Sequence, residues 1–124
     1  MRILFDQGAF NSCAKGTPVP IRRYLAGHIV GISADLGWER LRNGDLLAVA
    51  EQAGYELLLT TDKTLRYQQN LKGRVIAIVV IGHSQWPTLE PHVQRVVEAV
   101  NVAVSGSYTE VDIPLPLKSF FRKR

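Results

Sequence analysis

Three aspartates are the residues best placed to do chemistry in this chain of 124 residues. Asp6 ends the apolar run "RILF" (2–5), Asp62 lies just beyond the run "YELLLT" (55–60), and Asp45 sits in "NGDLL" (43–47), where a helical pattern opens. Ligands of open parallel sheets bind outside the carboxyl ends of the strands. The helix of a β-α-β crossover starts where its preceding strand stops, so all three carboxylates are expected on one rim. An acid in a helix's first turn also has a structural use, offsetting the macrodipole by about 0.3–1 kcal/mol and satisfying free amides. Like charges gathered on one rim, however, repel and raise one another's pKa, so a cation is expected among them. All-oxygen ligation with open positions suits Mg²⁺ or Mn²⁺.

Other reactive residue types are scarce. Cys13 is the single cysteine, which excludes a disulfide or a cysteine metal cluster within one chain. It lies in the polar, loop-like stretch "NSCAKG", and a nucleophilic role would need a neighbour that lowers its pKa, which the sequence does not reveal. His28 is expected at the start of a strand in a structural role, His83 in "GHSQWP" on the rim, and His92 on the polar side of a helix. Arg22, Arg23, Arg40, Arg42 and Arg66 could steer a nucleic-acid strand, with Tyr67 and Trp38 as stacking faces. Trp86-Pro87 reads as a loop anchor that covers core.

The elements that must position these groups follow from periodicity. "RILF" (2–5), "HIVGI" (28–32), "YELLLT" (55–60) and "VIAIVVIG" (75–82) are near-continuous apolar runs, the pattern of strands covered on both faces. "YTEVDI" (108–113) alternates, with Val111 and Ile113 on one side and Glu110 and Asp112 on the other, as an edge strand does. Between them, "IRRYLAG" follows Pro18 and Pro20 as a short helix ended by Gly27. Asn43 can cap "GDLLAVAEQAG", and Asp62 or Thr61 can cap "KTLRYQQN". A fourth helix opens near Thr88 with Pro91 in its first turn and Val93, Val96, Val97, Val100 and Val104 on a stripe. Strands alternating with helices predict a three-layer α/β/α domain with a mainly parallel sheet. The stretch "GAFNSCAKGTPVP" (8–20) reads as a long loop.

Composition bounds the class. Hydrophobic residues make up 46% and charged residues 21%, in the range of soluble globular domains, and the length suits one domain. With no apolar run long enough to span a membrane and no signal-peptide pattern, no membrane association is expected and a cytoplasmic location is. The net charge of +4 resides in residues 115–124, which hold Lys118, Arg122, Lys123 and Arg124 without an acid, so residues 1–114 balance. The basic character is that of a tail, not of a broad nucleic-acid clamp.

The order "RILFDQG", "HIVGI", "NGDLL", "ELLLTTDK", "VIAIVVIG" resembles the PIN-like domains, in particular a small bacterial group with a strand-terminal Asp, a Gly-His-strand, an acid opening the next helix and a strand ending in Thr-x-Asp-Lys. The resemblance covers residues 1–113 and implies a PIN-like domain over 1–114, with a five-stranded sheet in the order 3-2-1-4-5. It further implies a metal-dependent endoribonuclease, often the toxin of a toxin–antitoxin pair. Carried across, Asp6, Asp45 and Asp62 would be catalytic metal ligands for Mg²⁺ or Mn²⁺, with Thr60, Lys63, Arg66, Arg22 and Arg23 on the RNA substrate. An antitoxin protein and a second copy of the chain are the implied partners. Two features depart from the family pattern: "AFNSCAK" lengthens the first loop, and Lys63, Thr64 and Leu65 stand where a fourth acid is common. Three acids are enough for one ion but short of a two-metal clamp.

Rival classes fit less well. A receiver domain wants two acids after strand one and a lysine after strand five, and an aspartate-nucleophile phosphatase wants Asp-x-Asp where "DQG" stands. The alternative that remains is a degenerate PIN-like module that binds RNA or a protein partner and keeps its aspartates as caps.

Overall fold

The computed structural model describes residues 1–6, 17–38, 40–41, 43–62, 74–83 and 86–114. Its centre is a five-stranded parallel sheet of β1 (Arg2–Phe5), β2 (Ile29–Ile32), β3 (Leu57–Thr60), β4 (Ala77–Ile81) and β5 (Tyr108–Val111). A 3₁₀ segment, Val19–Tyr24, lies between β1 and β2, and helix α1 (Asn43–Gln52) connects β2 to β3. Helices α2 (Trp86–Leu89) and α3 (Val93–Val102), joined by the 3₁₀ turn Glu90–His92, connect β4 to β5. The domain is α/β, as the alternation predicts.

The strands run in the order β2-β1-β3-β4-β5. This approximates the expected 3-2-1-4-5: the β1–β2 and β4–β5 neighbours are the same, while β3 lies between β1 and β4 instead of outside β2. Burial accounts for the arrangement. All four residues of β3 are buried, and Leu57, Leu58 and Leu59 pair with Ile3, Leu4 and Phe5. β2, in contrast, begins at Ile29, which is 66% exposed. A strand apolar on both faces belongs in the interior of a sheet, and one with solvated positions belongs at its edge.

Alternation along the strands divides the core in two. Ile3, Phe5, Leu57, Leu59, Val79 and Ile81 share one cluster with Ile21 and Leu25 and with Val93, Val96 and Val100 of α3. Leu4, Leu58, Ile78 and Val80 share the other with Leu46, Leu47 and Ala50 of α1. Val111 and Ile113 are buried and Glu110 and Asp112 exposed, as the alternation at β5 predicts.

Several local expectations are corrected. The segment after Pro18 is a 3₁₀ helix ending at Tyr24, with Leu25 N–H donating to Arg22 O at 3.1 Å. Asn43 is the first residue of α1. Pro91 falls in the 3₁₀ turn between α2 and α3, so the valine-rich helix begins at Val93 instead of near Thr88. Val104 lies past the end of α3 and is 66% exposed, so the apolar stripe stops at Val100. Trp86 opens α2 and packs beside Tyr24, with ring centroids 5.9 Å apart. The expected helix over 64–70 and the tail 115–124 lie outside the described residues.

The exit of α1 fixes where β3 begins. Tyr55 N–H donates to Ala50 O at 3.0 Å and Gly54 N–H to Glu51 O at 3.1 Å, the paired bonds of a Schellman cap, with Gly54 at φ +89° as that cap requires. Tyr55 then turns beneath Gly31 of β2, where any Cβ would collide with the Tyr55 hydroxyl.

Candidate active site at the carboxyl end of the sheet

Asp6 and Asp62 are delivered to one place by neighbouring strands. Asp6 N–H donates to Leu59 O at 3.0 Å, one rung past the Phe5–Leu59 pair, so the sheet still holds its backbone where its side chain leaves the core. Thr60 Oγ1 donates to Asp6 Oδ2 at 2.8 Å and accepts the Asp62 amide at 3.1 Å. One hydroxyl thus ties the first carboxylate to the backbone that carries the second.

The electrostatics follow. Burial pushes the Asp6 carboxyl above the ordinary aspartate range, the Thr60 hydrogen bond pulls it down, and the negative charge of Asp62 pushes it up further. A carboxyl raised in pKa by burial and by a neighbouring charge marks this rim as a candidate site.

Among the described residues, the buried polar side chains are Thr17, Ser33 and Thr60, at 0%, 1% and 1% exposure. All three stand at the carboxyl end of the sheet around Asp6. Ser33 N–H donates to Phe5 O at 2.9 Å. Thr17 donates its amide to Asp6 O at 3.1 Å and its hydroxyl to Leu59 O at 2.8 Å. Nothing in the sequence marks Thr17, whose hydroxyl partners lie 11 and 42 positions away, or Ser33, which no local motif distinguishes.

Asp45 stands in the first turn of α1, at the same end of the sheet, and is exposed. It does not complete a three-carboxylate group with Asp6 and Asp62: among the described residues no three His, Cys, Asp or Glu side chains are grouped so as to hold a metal. Arg22 and Arg23 are exposed in the last turn of the 3₁₀ segment. His83 follows β4 at the carboxyl end and is half-buried. His28 lies just before β2, with Nε2 3.0 Å from Asn101 Oδ1, a packing contact with α3. Trp38 meets Tyr55 edge-on at 6.1 Å and packs against the core, which makes it a wall of the fold in place of the expected stacking face. Lys63, Arg66, Tyr67, Arg42 and Cys13 lie outside the described residues. Among the described residues no helix is long and apolar enough to cross a membrane.

No family model matches the chain, and neither a curated protein nor a solved structure matches it.

Proposed function

We propose that Asp6, Thr60 and Asp62 form the centre of a divalent-cation site used for hydrolysis of RNA phosphodiester bonds, the activity that the resemblance to PIN-like ribonucleases implies. The observation that supports it is the half-buried Asp6 carboxylate, tied through the Thr60 hydroxyl to the backbone of Asp62 and raised in pKa by burial and by the charge of that second acid, a repulsion that a bound cation would offset. The donor set fits Mg²⁺ or Mn²⁺, which bind through one or two carboxylates together with waters and substrate phosphates. Asp6 and Asp62 would hold the ion, which when bound polarises a phosphoryl oxygen and lowers the pKa of water.

The chain's own groups do the rest. The paired ends of β1 and β3 fix the carboxylates more tightly than a loop could. Thr60 fixes the rotation of the Asp6 carboxylate by occupying Oδ2. Arg22 and Arg23, exposed in the last turn of the 3₁₀ segment, would attract substrate phosphates. Asp45 contributes negative charge at the rim and is assigned the lesser part. A toxin acting on cytoplasmic RNA would pair with an antitoxin covering this rim.

The test is RNA cleavage in millimolar Mn²⁺ or Mg²⁺ that EDTA suppresses and Asp62→Asn abolishes. A second reading, RNA or protein binding without cleavage, is favoured by one observation: among the described residues no three His, Cys, Asp or Glu side chains are grouped so as to hold a metal. Retained RNA binding with no metal-dependent cleavage selects it.

A further inference from the structure

We infer that Thr17 is a positioning residue for this site, setting the two peptide planes from which Asp6 and Thr60 project; the inference rests on the proposed hydrolytic reading for its kinetic consequence only. Thr17 is 0% exposed, and a hydroxyl is withdrawn so completely from water only where it meets partners. Its partners here are the carbonyls on either side of the site. Thr17 Oγ1 lies 2.8 Å from Leu59 O and 3.2 Å from Asp6 O, and the Thr17 amide donates to Asp6 O at 3.1 Å.

The geometry makes a closed circuit. Leu59 O accepts both the Asp6 amide, at 3.0 Å, and the Thr17 hydroxyl, which uses both of its lone pairs. The Leu59–Thr60 peptide plane is thereby fixed, and Thr60 projects from it to donate to Asp6 Oδ2 and accept from Asp62 N–H. Thr17 acts on the backbone, and both peptides that aim the Asp6–Thr60 hydrogen bond end on it. The hydroxyl, rather than the bulk of the side chain, is what this role needs.

The test compares Thr17→Val, which keeps the shape and removes the donor, with Thr17→Ser, which keeps the donor. Amide hydrogen exchange, read by NMR without metal or RNA, is expected to speed up at Asp6 and Asp62 by on the order of tenfold in Thr17→Val, as loss of one buried hydrogen bond allows, and to stay near wild type in Thr17→Ser. In Mn²⁺-dependent RNA cleavage, Thr17→Val is expected to lower kcat by on the order of 10- to 100-fold at unchanged KM, with Thr17→Ser restoring it. Unaltered exchange at Asp6 and Asp62 in Thr17→Val, or a Thr17→Ser variant no closer to wild type than Thr17→Val, overturns the inference. If the wild-type chain does not cleave RNA, the hydrolytic reading falls and exchange alone decides the role of Thr17. Should Thr17→Val fail to fold, Thr17→Ala, which leaves room for a water beside Leu59 O, takes its place with the same deciding outcomes.

Discussion

Thr60 and Asp6, 54 positions apart in the chain, are joined by a 2.8 Å hydrogen bond from the threonine hydroxyl to one carboxylate oxygen, across the exits of two adjacent strands. Thr60 is 1% exposed, so its hydroxyl is committed to this contact and to the Asp62 amide. Replacing it with the near-isosteric valine strands a half-buried carboxylate oxygen and a backbone amide. Thr60→Val is expected to destabilise the fold by roughly 1–3 kcal/mol in denaturant titration. Because the hydrogen bond lowers the Asp6 pKa, its loss should move the Asp6 titration, followed by NMR, further upward.

Asp6 itself should weaken the fold at neutral pH. Its pKa is raised in the folded state above the unfolded value of about 3.9, so folding favours the protonated form. Stability is then lost as pH rises through the unfolded value to the folded one. Asp6→Asn removes that ionisation while keeping an oxygen for Thr60 to donate to. A higher Tm than wild type at pH 7, with the gain vanishing below roughly pH 4, is the expected result in thermal melts. An unchanged or lower Tm at pH 7 would contradict the electrostatic account of this cluster.

Much of this site was legible in the sequence, for a physical reason. Buried strands of a parallel sheet read as unbroken apolar runs, so the residues that end each run mark the rim, where Asp6 and Thr60-Thr61-Asp62 stand. The topology of a crossover likewise put Asp45 at the same end. Whether it stands close to the other two depends on how α1 packs, and no spacing in "NGDLL" encodes that. Strand order was less legible, because it is decided by pairing between distant segments: Leu57–Leu59 choose Ile3–Phe5 as partners through burial on both faces. Val104 misled for a simpler reason. Helical spacing continues past Val100, but the chain leaves the helix at Ala103, whose backbone is extended at φ −65° and ψ 141°. Thr17 was invisible because its value lies in two carbonyls supplied by other strands.

At the opposite end of the sheet, Glu51 acts as a backbone clamp. Its partial burial favours the neutral form, but the amides of Ile76 and Val75 and the Arg74 guanidinium outweigh that and hold its pKa below the ordinary glutamate range. The carboxylate accepts Val75 N–H at 2.9 Å, Ile76 N–H at 3.1 Å and Arg74 Nη1 at 3.1 Å. This stability is present above the ordinary glutamate pKa and is lost as pH falls through the depressed folded value. Glu51→Gln should cost about 1–2 kcal/mol at pH 7 and progressively less in acid, as read from urea midpoints.

Gly31 sets the distance between β2 and the turn after α1. A methyl group there would overlap the Tyr55 hydroxyl and come within 2.9 Å of Cζ. Gly31→Ala is therefore expected to destabilise by about 1–3 kcal/mol. Adding Tyr55→Phe removes the worst overlap and should recover part of that loss in a double-mutant cycle. Strict additivity of the two substitutions would count against the contact.

The shared cation is the central claim, and paramagnetic broadening by Mn²⁺ in the NMR spectrum of the metal-free chain tests it most directly. Titration with Mn²⁺ is predicted to bleach the amide signals of Asp6, Thr60 and Asp62 first, to lose that selectivity in Asp6→Asn and Asp62→Asn, and to keep it in weakened form in Asp45→Asn. Bleaching centred elsewhere, such as at the exposed Glu110 and Asp112, or none at millimolar Mn²⁺, would contradict it.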